Sequence, residues 1–530
     1  MIEAGFAQTI LSSKRTLWFV AGLTVILFAF ANLPWQLDDY DQAKQAFTSF
    51  QMIKEGRWFN QQTPHEHVAT KPPLVGWISA GLFAITRSWD TAWRLPSFLA
   101  AIAIAMLLFR AATSAYGTIP GLIALGAFGL NLLSPRLATL VRTDMPLALA
   151  IFLIGLVIWQ KIRSETEWGL RDQVYIFALL TVAMLIKGPI VYAFLLPGIA
   201  LFQWRRRRVV VAGVGDPGKS PNVQSQHSAW SGWWPWIASL AVFLLWVIGG
   251  ILFAPGFFDQ VVMREFVARF GETIHRPQPL YFYLPHLLHK FAPWSALIMG
   301  IAVFDLASRR WRIGVAFREI SPETFWLLCW SLGGLLAMSL IPSKRVDRIF
   351  PIVPPLCLLL AAQIAKRNTC SHGSVSRPLE SVDFDSTGHR PVAAKNSATP
   401  VHRWSAAAVI VAILFTGGYT LFKIVSGYRD RHDALVVFGR NVRHEVEAHH
   451  WRYEVVSAKD EGLLLYLRKT HFIEPDRAVS EWNRANLDAL VASTEKAPAL
   501  VGELRDASLS SLKSNERKKE QGRDYVLITH

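Results

Sequence analysis

Long apolar segments alternate with short polar loops along most of this chain. A helix needs about 20 mainly apolar residues to cross a bilayer. Stretches near that length recur at Thr16–Pro34, Trp93–Thr113, Ile119–Ser134, Pro146–Gln160, Val174–Ile186, Ile190–Trp204, Trp234–Phe253, Trp294–Phe304, Thr324–Leu340, Phe350–Ala365 and Ala406–Val425. Short or re-entrant segments such as Pro72–Ile85 bring the prediction to about 11 to 13 spans. The expected fold is mainly α, a polytopic transmembrane helical bundle.

Composition supports this class and gives the bundle an orientation. The chain has 530 residues, of which 52% are hydrophobic, and a formal net charge of +16. Cations concentrate in short loops that fall on one side if the spans alternate, at Lys14-Arg15, Lys161–Arg171, Arg205–Arg208, Arg309–Arg312 and Lys366-Arg367. The positive-inside rule makes that side cytoplasmic. Because the cations are spread around spans, we expect membrane lipids as partners and no nucleic acid.

Two cytoplasmic stretches have a composition typical of linkers. Gly213–Ser231 is rich in Gly, Pro, Ser and Gln, and Asn368–Pro400 has no apolar period. Such stretches need not fold. Cys329 and Cys357 stand in apolar runs and Cys370 in a polar loop, so we expect small buried side chains rather than a disulfide framework.

The chain after the last span has a different pattern. Ala434–His450 has apolar residues at helical spacing, while Glu454–Ser457 and Tyr525–Ile528 read as short strands. The sequence therefore predicts a transmembrane domain over residues 1–426 and a small outward α/β domain over 427–530.

Charged residues also stand in the outward loops, where topology rules predict few cations. Asp38–Asp41 and Lys71 follow the first span, and Arg142–Asp144 forms a second polar turn. The outward cations are Lys71, Arg94, Arg142, Lys187, Arg264, Arg269, Arg276, Lys344, Arg345 and Arg348. Any one of them is explained by anchoring at the interface. As a set they suit a phosphate or pyrophosphate ligand, since Arg offers a bidentate fork and Lys a point charge.

Many of these residues belong to motifs that follow one another in a fixed order. The motifs are Asp41–Lys44 with Met52–Trp58, Lys71–Leu74, Arg94–Ser97, Arg142–Pro146, Leu185–Pro189, Arg264–Phe266 with His275–Pro285 and Pro293-Trp294, and Ser343–Arg345. In this order they resemble the GT-C superfamily glycosyltransferases that include lipid A 4-amino-4-deoxy-L-arabinose transferases and protein O-mannosyltransferases. The resemblance implies an outward in-plane helix that begins near Asp41 and closes at Gly56-Arg57-Trp58. It also implies an enzyme of the bacterial inner membrane with its active site facing the periplasm.

The implied reaction moves a sugar from a polyprenyl-phosphate donor to a lipid or glycan acceptor such as lipid A, with inversion. Asp41 is the candidate general base or acceptor-orienting carboxylate. Asp144 arranges the acceptor or binds the sugar. Candidates for neutralising the leaving phosphate are Lys71, Lys344, Arg345 and Arg276. Candidates for binding substrate are His275, Tyr281, Tyr283 and Lys187.

No cofactor and no metal are expected. His65, Glu66 and His67 stand in an extended loop, where such residues are more often solvated than metal-bound. The segment Gly213–Ser220 only mimics a phosphate-binding loop, because it has no strand before it and no helix after it.

Two other classes of function remain open from the sequence. One is a flippase or transporter for the lipid-linked sugar, which is expected to show inverted repeats and charges at the bilayer midplane. The other is a lipid-binding regulatory protein whose catalytic site has decayed, because Gln42 and Thr70 replace acids usual in the family. The position of the charges in outward loops favours the enzyme.

Overall fold

The computed structural model describes residues 13–37, 39–213, 232–267, 278–308, 320–372, 400–458, 460–514 and 524–530, and most of them are helical. The α-helices are Lys14–Phe30, Tyr40–Glu55, Leu74–Thr86, Trp89–Tyr116, Thr118–Gly129, Ser134–Ala138, Asp144–Ser164, Leu170–Lys187, Ile190–Gly213, Trp234–Phe253, Tyr283–Lys290, Trp294–Ser308, Pro322–Leu340, Val353–His372, Pro400–Arg429, Ala434–His449, Glu461–Tyr466, Pro475–Asn483 and Ala497–Glu503. A π-helix covers Phe258–Val267, and 3₁₀ turns cover Leu280–Phe282 and Val346–Ile352.

Several of these helices have the length and hydropathy of membrane spans. Among the described residues six helices qualify: Trp89–Tyr116, Asp144–Ser164, Trp234–Phe253, Pro322–Leu340, Val346–Arg367 and Arg403–Arg429. The count rises to seven if the helices Leu280–Lys290 and Trp294–Ala307, whose axes meet at a bend of 104°, form one broken span. Leu74–Thr86 and Thr118–Gly129 are shorter apolar helices. The predicted fold class, a helical membrane protein with a small C-terminal α/β part, is confirmed, while the count of about 11 to 13 spans stays a prediction.

Many helix ends lie two or more residues from the predicted span ends, and two of these differences are described here. The span expected at Trp93–Thr113 extends to Trp89–Tyr116, and the helix that begins at Val353 continues past Ala365 to His372. Lys366 and Arg367 are good helix formers, so the helix continues after its apolar run ends. Most of both predicted linkers, Gly213–Ser231 and Asn368–Pro400, lies outside the described residues.

Small residues let two helices of the bundle pack very closely. A Cβ at Gly333 would stand 2.5 Å from the backbone nitrogen of Gly198, and a Cβ at Gly198 would stand 2.9 Å from the carbonyl oxygen of Cys329. In lipid the hydrophobic effect does not drive apolar helices together, because lipid tails are as apolar as the helix faces. Helices there associate through close van der Waals packing, which small residues permit. The contact fixes Ile190–Gly213 against Pro322–Leu340. Cys329 and Cys357 are buried, as expected.

The C-terminal part contains a four-stranded sheet of order β1-β2-β4-β3. Its strands are Tyr453–Val455 (β1), Ala489–Ser493 (β2), Ser508–Lys513 (β3) and Tyr525–Thr529 (β4). β1 pairs with β2 in parallel, while β2 with β4 and β3 with β4 are antiparallel. The predicted strands at Glu454–Ser457 and Tyr525–Ile528 and the predicted helix at Ala434–His450 correspond to β1, β4 and Ala434–His449.

The sheet part shares a hydrophobic core with the helix Tyr40–Glu55, which we call the acidic helix. Phe47 and Phe50 of the acidic helix are fully buried in one cluster with Phe438 and Leu464 from the C-terminal part. Burying side chains of this size stabilises a contact by roughly 1.5–3 kcal/mol each. The acidic helix is therefore held between the membrane bundle and the C-terminal part.

Candidate active site

The acidic helix begins and ends as its sequence predicts. The Asp39 carboxylate accepts a hydrogen bond from the Asp41 amide at 3.1 Å and caps the first turn. Gly56 closes the helix in the left-handed conformation at φ 71°, which glycine adopts without strain. Asp39 is therefore the N-cap residue of this helix, and Asp38 lies outside the described residues. This geometry places Asp41 and Lys44 one turn apart at the start of the helix.

Asp41 is an ionised carboxylate in a cationic setting. It forms an ion pair with Arg345, although 304 residues separate the two along the chain. Burial raises the pKa of Asp41, but the charges of Lys71, Arg345 and Arg142 outweigh this effect and lower the pKa to about 2. The group therefore carries a full negative charge at neutral pH.

Arg142 links three loops beneath Asp41. It pairs with Asp39 and, through Nη1, with the Asp347 carboxylate at 2.6 Å. The side chains of Arg142 and Asp347 are 6% and 9% exposed, and Arg136 lies 3.8 Å from Asp347. The buried arginine ties the acidic helix to the 3₁₀ turn Val346–Ile352, which directly follows Arg345.

The second predicted carboxylate, Asp144, is also paired with a cation. Lys187 Nζ lies 2.5 Å from Asp144 Oδ1, and both side chains are largely buried. Asp144 starts the helix Asp144–Ser164 and Lys187 ends the helix Leu170–Lys187, so the pair joins the ends of two neighbouring helices. Gly188, at φ 75°, then turns the chain away.

Lys71 holds a central place among these charges. Its charge acts on Asp41, on Lys44 and on both members of the Asp144–Lys187 pair. It follows Thr70, whose hydroxyl lies 3.5 Å from Lys44 Nζ. The structure thus brings Asp41, Asp144, Lys71, Lys187 and Arg345 together in one place.

The other predicted site residues have different environments. Lys344 is buried and donates from Nζ to the Gln278 carbonyl at 3.0 Å, so it stabilises the loop that contains it. Tyr281 is 69% exposed, whereas Tyr283 is fully buried in the main core. His275 and Arg276 lie outside the described residues, and their predicted roles stay predictions.

Three charged residues of the site were not among the predicted ones. Asp347 anchors Arg142. Lys44 lies close enough to Asp41 for the two charges to interact, and burial together with the Lys71 charge lowers the pKa of Lys44 to about 8. Glu461 comes from the C-terminal part, and burial raises its pKa to about 7. Lys44 had a usable signal, since it stands one helical turn from Asp41, but nothing near Glu461 in the sequence marks it.

This arrangement has a clear chemical capacity. Two carboxylates and several cations lie in polar loops against an apolar bundle, where Coulomb interactions are stronger than in water. The cations suit an anionic group such as a phosphate, and the carboxylates can accept hydrogen bonds from hydroxyl or amino groups. Within the described ranges no group of three His, Cys, Asp or Glu side chains is arranged to hold a metal ion.

Known proteins share parts of this sequence. Residues 70–213 match the dolichyl-phosphate-mannose-protein mannosyltransferase family. The undecaprenyl phosphate-alpha-4-amino-4-deoxy-L-arabinose arabinosyl transferase of Pectobacterium atrosepticum is 36% identical over 102 residues, which are 19% of this chain and 17% of that protein. A protein of Sodalis glossinidius with the same description is 34% identical over 127 residues, 24% of this chain and 21% of its own length. The aligned segments thus span about a fifth of these relatives.

The fold agrees over nearly the whole chain. The crystal structure of ArnT from Cupriavidus metallidurans bound to undecaprenyl phosphate superposes with a TM-score of 0.64 and 15% identity, covering 98% of both chains. The predicted resemblance to GT-C membrane glycosyltransferases is confirmed. The segment matched to the mannosyltransferase family contains Lys71, Arg142, Asp144 and Lys187, whereas Asp41 lies before it.

Proposed function

We propose that this chain is a membrane glycosyltransferase that moves a sugar from a polyprenyl-phosphate donor to an acceptor at its outward face. The observation that carries the proposal is the cluster of Asp41–Arg345 and Asp144–Lys187 around Lys71. The names of the two relatives and the undecaprenyl phosphate bound to ArnT support this class of donor. The acceptor we propose is lipid A or another envelope glycan.

Lys71 and Arg345 are the cations best placed to hold the donor phosphate. The Arg345 side chain is 36% exposed and meets Asp41 through one nitrogen, Nη1. A guanidinium has five N–H donors in a fixed fork, so the same side chain can contact Asp41 and a phosphate together. Lys71 adds a second charge that also acts on Asp41 and Asp144. Neutralising the departing phosphate stabilises the transition state electrostatically.

Asp41 orients the acceptor rather than accepting its proton early in the reaction. A carboxylate with a pKa of about 2 is a weak base, and base strength governs general-base catalysis. It remains a strong hydrogen-bond acceptor for a hydroxyl group. In an inverting displacement the acceptor attacks from the face opposite the leaving phosphate. Asp144, fixed by Lys187, then contacts the acceptor or a polar group of the sugar.

The proposal includes an organisation and a location for the protein. Residues 1–426 form the catalytic membrane domain, and residues 427–530 form a small α/β domain at its outward face. By the positive-inside rule, the short basic loops support a cytoplasmic location for the opposite face. In a bacterial inner membrane the active site then faces the periplasm.

Transfer of a radiolabelled sugar in proteoliposomes tests the proposal. A panel of undecaprenyl-phosphate sugars serves as donors, with an envelope lipid extract as acceptor. We expect wild type to transfer from at least one donor and Asp41→Asn to lower the rate by about 10²-fold or more, the range expected when a group that orients a reactant is lost.

Asp476→Asn is the matched control, because it makes the same change at an exposed position of the C-terminal part. Its rate is expected to equal that of wild type. Lipid movement across the membrane without any transfer would instead indicate a flippase. Full transfer by Asp41→Asn would remove Asp41 from the mechanism.

A further inference from the structure

One carboxyl group of the C-terminal part faces the candidate site. Glu461 begins the helix Glu461–Tyr466 and is only 3% exposed. Its Oε2 is buried and has no hydrogen-bond partner among the described residues. Leaving such an oxygen unsatisfied costs roughly 1–3 kcal/mol, and more for a charged group. A buried polar atom of this kind calls for a partner that the protein itself does not supply.

The backbone around Glu461 is fixed tightly against the chain that leads into the acidic helix. A Cβ at Gly462 would stand 2.6 Å from the Leu37 carbonyl oxygen, so only glycine fits there. The Leu37 amide donates to the Tyr466 hydroxyl at 2.7 Å at the other end of the same short helix. These two contacts hold the backbone on both sides of the short helix against the segment that precedes the acidic helix.

The charges that meet Glu461 belong to the active site. Its carboxyl interacts electrostatically with Lys44, Asp41 and Tyr40, all near the start of the acidic helix. Within the described part of the chain no ion pair joins Glu461 to Lys44, whose Nζ instead approaches Thr70 at 3.5 Å. The two charges are thus close enough to interact electrostatically, but they form no ion pair.

We propose that Glu461 is a substrate-positioning residue, which binds a hydroxyl or amino group of the molecule that occupies the site beside Asp41. The inference rests on the proposed function and assigns the C-terminal part a share in substrate recognition. A carboxyl group in this position accepts a hydrogen bond from a hydroxyl or pairs with an ammonium group. A site built to bind such a group rejects analogues that lack it, because its own polar atoms are then left unsatisfied.

The bound group can come from the donor sugar or from the acceptor, and two measurements separate these sources. The first compares the affinity of full-length protein in nanodiscs for undecaprenyl phosphate and for undecaprenyl phosphate-4-amino-4-deoxy-L-arabinose, which differ only in the sugar. The second measures kcat and KM for a lipid A extract in the transfer assay. Each is made with wild type, Glu461→Gln and the control Glu503→Gln, which changes an exposed carboxyl of the same part.

Either of two results supports the inference. If the donor sugar is the source, Glu461→Gln binds the sugar-bearing lipid about 10-fold more weakly, as expected for one lost charged hydrogen bond, and binds undecaprenyl phosphate unchanged. If the acceptor is the source, both lipids bind as in wild type and the KM for lipid A rises about 10-fold with kcat kept.

Other results overturn it. An equal loss of affinity for both lipids indicates a general electrostatic or structural effect, and unchanged values throughout show that Glu461 contacts no substrate. Intrinsic tryptophan fluorescence of each variant verifies the fold. If wild type binds neither lipid and transfers nothing, the proposed function itself is refuted. If wild type binds and transfers and Glu461→Gln matches it in every measurement, only the role of Glu461 is refuted.

Discussion

The buried pair Arg142–Asp347 gives the sharpest test of how the site is held together. Its 2.6 Å contact joins side chains that are 6% and 9% exposed. Removing one partner of a buried pair typically costs about 3–5 kcal/mol, since the other charge is left buried and uncompensated. When Asp347 is replaced, Arg142 still pairs with Asp39; when Arg142 is replaced, Asp347 still has Arg136 at 3.8 Å. These remaining ion pairs offset part of the loss. We therefore expect about 2–3 kcal/mol from either single substitution.

A double-mutant cycle measures the pairwise part of this energy. The variants are Arg142→Met, Asp347→Leu and the double substitution, unfolded by SDS titration in mixed micelles and followed by tryptophan fluorescence. Because the double variant buries two apolar side chains and no unpaired charge at this contact, it is expected to lose less than the two single losses added. The expected coupling energy is about 1.5–3 kcal/mol.

The pair Arg452–Asp488 supplies the control. It has comparable contact distances, with Arg452 Nε 3.0 Å from Asp488 Oδ2, but its side chains are 58% and 30% exposed. Water screens an exposed pair, so its coupling is expected to lie within the error of measurement. Additive losses at Arg142–Asp347 would refute the reasoning, because the two charges would then stabilise the fold independently.

Two further predictions concern packing and pH. Gly333→Ala is expected to destabilise the protein by about 1–3 kcal/mol in the same SDS titration, because its Cβ would meet Gly198 at 2.5 Å. The control Gly300→Ala, where nothing lies within 4 Å, is expected to be neutral or slightly stabilising; equal effects would disprove the close contact. Burial raises the pKa of Glu461 from 4.5 to about 7, so its contribution to stability is full below pH 4.5 and is lost as pH rises to about 7. The free energy of unfolding of wild type, measured by thermal unfolding, should therefore fall by up to about 3 kcal/mol as pH rises through this window, whereas that of Glu461→Gln should not. Parallel pH curves for the two proteins would contradict the assigned shift.

The sequence predicted the membrane bundle well because long apolar runs have few alternative folds. The acidic helix was also predictable, since Asp39 at its start and Gly56 at its end are local capping signals. Two strands were missed for opposite reasons. β2 is a short, wholly buried run that periodicity cannot distinguish from a helix, and β3 is polar and partly exposed, with no apolar alternation.

The site was predictable only in part, because its pairs form between distant segments. The motifs pointed to Asp41, Asp144 and Lys71, but no local pattern shows that Asp41 meets Arg345 or that Arg142 meets Asp347 across 205 residues. Glu461 was missed altogether because its setting depends on how the C-terminal part packs on the acidic helix.

The pKa values assign different tasks to the ionisable groups around the acidic helix. Asp41, with a pKa of about 2, stays charged throughout the physiological range, so its protonation cannot produce a pH dependence there. Lys44 at about 8 and Glu461 at about 7 change charge within that range. Under the proposed function, we expect these two groups to contribute to a change of the transfer rate between pH 6 and 9. Asp41 then acts as a fixed charge that aligns the acceptor. The charges of Lys44 and Glu461 change with pH and alter the electrostatic potential at the leaving phosphate.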